Sequence, residues 1–166
     1  MPAILRARSA ALLPLLVIAA LMATLFAFTP AADAATSRQQ KIGIGLDVVR
    51  HQKGDPYSYG AAGPNAFDCS GLIYYSFRKA GFKHVPRTSS AQARHMNRIE
   101  RSQLRRGDFV FFHRGGASPG NVYHVGVFAG WDNGRRTIIH APYGSQSVHR
   151  ERIWTNEWFA GTLRGL

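Results

Sequence analysis

Apolar residues at Ile42, Leu46 and Val49 recur three to four apart among polar neighbours, and the run stops at Gly54-Asp55-Pro56. That spacing predicts a helix over residues 38–51. The stretch "YSYGAAGPN" is rich in turn formers and reads as a loop. From Cys69 the helical period returns with Leu72, Ile73, Tyr75, Phe77 and Ala80, and Gly81 closes it. Thr88 or Ser89 is placed to cap a short third helix through Met96. Beyond Arg106-Gly107-Asp108 the pattern changes to short β-branched and aromatic segments: "FVFFH", "HVGVFAG", "RTIIHA", "SVHRE" and "FAGTLR". Gly, Pro and Asn separate them, so they read as consecutive, mostly antiparallel strands. Asn133-Gly134 in "WDNGRR" is the strongest hairpin signal in the chain. Helices first and strands afterwards predict an α+β fold, with the N-terminal helices packed on an antiparallel sheet of about five to six strands.

The first 34 residues fit none of these elements. Arg6 and Arg8 precede the apolar run "ALLPLLVIAALMATLFAFT", and Ala32 and Ala34 offer small residues for cleavage. A helix apolar on every face would have nothing to cover it within the rest of the chain. Residues 1–34 are therefore read as a signal peptide, with a retained anchor as the alternative, and residues 35–166 as one domain. Losing Arg6, Arg8 and Asp33 takes the net charge from +12 to +11. Such a basic surface attracts polyanions. No zinc-finger spacing, helix-turn-helix pattern or aromatic RNA-binding motif accompanies it, so nucleic acid is not expected as a partner. An anionic cell envelope is the expected partner, for a chain expected to be secreted, monomeric and off the membrane once the signal is removed.

Cys69 is the one cysteine, so no internal disulfide holds the domain. A lone cysteine is often a small buried hydrophobe. This one opens a predicted helix, where free N–H groups and the helix dipole favour an anion and lower a thiol pKa. A thiolate nucleophile needs a base, and the base an orienting partner. Of seven histidines, His51, His84, His95 and His149 lie in segments that read as exposed or at element ends, and His113 ends a strand. His124 begins one strand and His140 ends the next across the Asn-Gly hairpin. An antiparallel pair sets those two positions at the same end of the sheet. Cys69, His124 and His140 thus form a candidate nucleophile–base–orienter trio. The same three could hold zinc with an open position, although no close Cys-Cys or His-His pair anchors a metal. No metal or cofactor is expected.

The blocks "PYSYGAAGPNAFDCSGLIYYSFRKAG", "VPRTSSAQ", "LRRGDFVFF", "HVGVFAG" and "IIHAP" together resemble the NlpC-type bacterial cell-wall peptidases, over roughly residues 38–163. The resemblance implies a papain-like fold and a cysteine peptidase that cuts peptidoglycan stem peptides between γ-D-glutamate and the following diamino acid. It implies Cys69 as nucleophile, His124 as base and His140 as orienter. Tyr59, Asp68, Ser70, Arg87 and Ser89 match the positions that contact substrate, Tyr59 also as a second oxyanion donor beside the Cys69 N–H. Arg87 suits the free α-carboxylate of a γ-linked glutamate. Asp68 suits a stem-peptide ammonium, or else caps the helix. Two other readings stay open: an amidase or acyltransferase of the same fold, and a non-catalytic wall-binding module.

Overall fold

The computed structural model describes residues 30–164, and the expected signal peptide lies outside them up to residue 29. Helix α1 runs Pro30–His51, eight residues earlier than the apolar spacing predicts. The alanine-rich stretch before Thr36 explains the extension, because alanine has the highest helix propensity and proline is tolerated at a first helical position. Helix α2 spans Cys69–Lys79 and α3 spans Ser89–His95. No described helix is long and apolar enough to cross a membrane.

The strands are β1 (Asn97–Ile99), β2 (Phe109–His113), β3 (Val122–Asp132), β4 (Arg135–His140), β5 (His149–Arg152) and β6 (Trp158–Thr162). They form one six-stranded sheet in the order β1-β6-β2-β3-β4-β5, with every neighbour antiparallel. The five segments expected as strands are all present. β1 is additional: its "NRI" is too short and polar to signal a strand, and it pairs with β6 as an edge, Asn97 opposite Thr162. The β3–β4 turn has Asn133 at φ 45° and Gly134 at φ 74°. Both values are positive, as the tight hairpin turn favoured by Asn-Gly requires.

Alternation along the strands splits the core. Phe109 and Phe111 of β2 and Val125, Val127 and Ala129 of β3 face the helices, where they meet Ile42, Leu46, Leu72, Ile73 and Phe77. Val110, Phe112, Phe128 and Ile138 lie on the opposite face with Trp158 and Ala160. Helices on one face of an antiparallel sheet form the papain-like α+β arrangement that the resemblance implies.

Helix α2 is placed by polar contacts as well as by packing. Asp68 is its N-cap and accepts from Gly71 N at 2.6 Å, an interaction typically worth about 1 kcal/mol. Gln92 of α3 is fully buried and donates through Nε2 to Ser70 O at 2.9 Å and Pro86 O at 2.8 Å. The start of α2, the loop before α3 and α3 itself are thereby tied together.

Candidate active site

Cys69 is the first residue of α2, so its N–H is one of the four that an α-helix leaves without an internal partner. The side chain lines a cleft of about 730 Å³ together with Tyr57, Asp68, Arg87, His124 and Tyr143. Burial pushes the Cys69 thiol up, and the neighbouring Asp68 charge adds to the rise. The N–H groups of Val125 and Ser70 and the Ser70 hydroxyl pull the other way. The sequence leads one to expect a thiol lowered by its helix terminus. The net direction here is opposite, because the sulfur is withdrawn from water beside a carboxylate. In the free cleft the thiol is protonated, and a base must take its proton.

The two strand histidines meet. His124 Nε2 lies 2.7 Å from His140 Nδ1, with the rings edge to face. The contact is diagonal: Val127 pairs with Ile139, which sets His140 opposite Gly126, two residues from His124 on the same face. A Cβ at Gly126 would stand 2.7 Å from Ile138 Cδ1 and 3.2 Å from His140 Cβ, so β3 passes β4 closely at this glycine. Trp154 covers the pair, stacked on Phe112 with centroids 4.2 Å apart and 5.5 Å from the His140 ring. His124 Nδ1 is left as the nitrogen facing other chemistry.

On the far side of His140, Nε2 stands 2.9 Å from Glu151 Oε1, close but not aligned as a hydrogen bond. His140 pairs directly with His149 across β4–β5, and Glu151 is the next residue but one on that strand. Alternate β5 residues therefore share the face of His140. Sequence reasoning missed Glu151 and set His149 aside as a surface residue. The His-x-Glu alternation was visible, but nothing short of the β4–β5 register shows which strand face it joins.

Both imidazoles are held neutral. His124 is lowered from 6.5 to about 4 by burial. His140 is lowered to about 3, by burial first and then by the charges of His124 and His149. Between about pH 6.5 and pH 4 the unfolded chain binds protons at these two residues that the folded chain refuses. Stability is therefore full above pH 6.5 and falls on acidification, by about 1.4 kcal/mol per pH unit for each imidazole. Urea midpoints measured from pH 7 to pH 4.5 are expected to drop steeply for the wild type and less for His124→Gln/His140→Gln. Equal slopes would locate the acid lability elsewhere.

The remaining expected site residues line the same cleft, with their charges largely committed. Asp68 accepts from Gly60 N, Gly71 N, Ser70 Oγ and both terminal nitrogens of Arg87, the last at 2.9 and 2.6 Å. Burial alone would raise this carboxyl, but the Arg87 and Gly71 hydrogen bonds hold it below its ordinary value. Arg87 also donates to Ser70 Oγ and Ala61 O, so its guanidinium is a strut of the cleft wall. Ser89 opens α3 and lines the cleft, as does Arg114, whose guanidinium lies over the Tyr123 ring at 4.6 Å. Tyr59 is 88% exposed, whereas Tyr57 is partly buried; burial and then the Cys69 charge raise its phenol. Both tyrosines line the cleft, and Tyr57 is the one whose phenol the Cys69 charge raises.

The comparisons with known proteins place the chain in a family. The chain is 42% identical over 112 residues to a probable endopeptidase of Corynebacterium glutamicum, covering 68% of this chain and 48% of that protein. It is 35% identical over 131 residues to the murein DD-endopeptidase MepH of Escherichia coli, covering 76% and 46%. The chain spans about half the length of these curated relatives. Among solved structures it is similar to the peptidoglycan hydrolase RipB of Mycobacterium tuberculosis, with TM-score 0.64 and 25% identity over 81% of this chain and 68% of that one. The model of the NlpC/P60 family matches residues 54–164, a span that holds the cysteine, both histidines and Glu151, and the chain belongs to that family.

Proposed function

We propose that this chain is a peptidoglycan hydrolase of the cell envelope, a cysteine endopeptidase that cleaves stem peptides at the γ-D-glutamyl–diamino acid bond. The observation that carries this reading is the 2.7 Å contact from His124 Nε2 to His140 Nδ1, beside a cleft that His124 shares with Cys69. A base must present an unprotonated nitrogen to the thiol. If His124 Nε2–H donates to His140 Nδ1, His124 Nδ1 is that nitrogen, and His140 carries its own proton on Nε2, facing Glu151. Glu151 thus favours the tautomer that keeps the base available, as third groups do in other triads.

The chemistry then balances without any further group. His124 Nδ1 takes the Cys69 proton as sulfur attacks the carbonyl carbon. The oxyanion is met by the Cys69 N–H and by Tyr57, which takes the donor role first ascribed to Tyr59. Collapse breaks the C–N bond, and His124 returns the proton to the leaving amine. Water, deprotonated by the same nitrogen, then opens the thioester and releases the acid. Because burial keeps the thiol protonated, the proton moves during attack and not beforehand. Tyr59, Asp68, Ser70, Arg87 and Ser89 form the wall that receives the stem peptide, with Asp68 and Arg87 acting as one neutral pair.

Digestion of purified peptidoglycan by the wild type and by Cys69→Ser, with products identified by mass, tests this. The wild type is expected to release fragments ending in D-glutamate, and Cys69→Ser none. Absence of any wild-type cleavage would remove the peptidase reading. A product cut between D-amino acids, the bond named for MepH, would keep the peptidase and change the bond.

A further inference from the structure

We propose that His140, His149 and Glu151 form a binding site for a divalent transition metal of the zinc class, and that filling it disables the base in the cleft. One ligand atom from each of the three residues can be chosen so that all lie within 4.8 Å of one another. His140 Nε2 is buried and has no aligned hydrogen-bond partner among the described residues, although it points at Glu151 Oε1 from 2.9 Å. His149 Nδ1 lies 2.8 Å from Ser147 O. A carbonyl only accepts, so in the neutral ring Nδ1 carries the proton and Nε2 is the nitrogen free to bind a cation. That nitrogen stands 3.7 Å from Glu151 Oε2, with His140 Nε2 on the other carboxylate oxygen. A cation resolves the arrangement.

The donor set suits the metal. Two imidazole nitrogens and a carboxylate, with one position open to water, form a common zinc set. The hydrogen bond from a ligand's other ring nitrogen to a carbonyl is its usual orienting partner. Ligand atoms about 2.0–2.2 Å from one zinc are roughly 3.3 Å apart in a tetrahedron. The 2.9 Å pair must therefore open slightly and the 3.7 Å pair close, and the side chains of His149 and Glu151, 34% and 39% exposed, are free to move while His140 is not. This cluster is distinct from a Cys69-His124-His140 metal site, since the sulfur takes no part.

The consequence for the cleft rests on the peptidase reading; the metal site itself does not. A metal on His140 Nε2 displaces the proton held there. The proton between the rings then passes from His124 Nε2 to His140 Nδ1, which donates back across the same contact, and His124 takes one from water on Nδ1. One proton leaves at one end of the chain of rings and one is taken up at the other. His124 so protonated has no lone pair for the thiol, nor for the water that must open the thioester.

Calorimetric titration of zinc chloride into the full chain carrying Cys69→Ser reads binding without any activity. One zinc per chain is expected. His149→Ala or the isosteric Glu151→Gln in that background should weaken it at least about tenfold. No binding, or equal affinity in all three proteins, overturns the site. Muropeptide cleavage with and without zinc reads the switch in proteins that keep Cys69. Zinc is expected to slow the wild type at least about tenfold, and His149→Ala to need at least about tenfold more zinc for the same inhibition. Undiminished inhibition of His149→Ala would place the inhibitory zinc on Cys69 and His124 and overturn the switch. A chain that binds zinc through His149 yet cleaves no muropeptide supports the metal site and overturns the peptidase reading.

Discussion

Replacing His124 by Gln is expected to slow muropeptide cleavage at least about a thousandfold while leaving the fold intact. Glutamine fills much of the imidazole volume and can still donate toward His140 Nδ1, so the packing of Phe112 and Trp154 around it has little reason to collapse. It cannot take a proton. Because the thiol is pushed up by burial and by Asp68, no spontaneous population of thiolate compensates for the missing base. The loss should fall on turnover and not on binding, since the proton moves only as the barrier is crossed. Muropeptide kinetics with a thermal melt of the same preparation check this. A variant that keeps more than about a tenth of the wild-type turnover strips His124 of the base role.

Gly71→Ala is expected to unfold the region that presents Cys69, with a stability loss of at least about 3 kcal/mol. A Cβ at Gly71 would stand 2.0 Å from the backbone oxygen of Ala61 and 3.0 Å from Asp68 Oδ1. No flexible side chain can yield there. Ala61 O already accepts from Asp68 N at 2.9 Å and from Arg87 Nη2 at 3.1 Å, so moving it breaks the loop-to-helix ties that also hold the cap. Gly43→Ala is the matched control. Its Cβ meets nothing within 4 Å on α1, and alanine should stabilise that helix by about 0.5–1 kcal/mol. Urea unfolding of both variants decides the matter. A Gly71→Ala chain as stable as the wild type would mean that the loop yields without cost.

Much of the fold was legible because its signals are local. Apolar spacing at Ile42, Leu46 and Val49 marks a helical stripe, and all three residues are buried. Asn133-Gly134 marked the hairpin because positive φ at both residues is a demand on two side chains alone. That hairpin sets His124 and His140 at the same end of the sheet, but the β-bulge between Phe128 and Gly130 shifts the register by one residue and puts them on the same face. What misled were readings that depend on surroundings. The Cys69 thiol opens a helix as expected, but its burial beside Asp68 outweighs the helix terminus. Tyr57 and Tyr59 are equivalent in a loop sequence, and only the folded loop leaves one partly buried and the other in water.

The sequence by itself determined the elements, their order, and that His124 and His140 lie at one end of the sheet, because helical period, strand alternation and a two-residue turn are written in neighbouring residues; the bulge that puts both on one face was not. The tertiary structure alone decided that Glu151 and His149 stand behind His140, that Arg87 is occupied by Asp68, and that Gly71 has no room for a methyl group. Each of these depends on distance across segments that no short-range pattern links. The β4–β5 register, the approach of the Ala61 carbonyl to α2 and the loss of water around the thiol exist only once the chain has closed on itself.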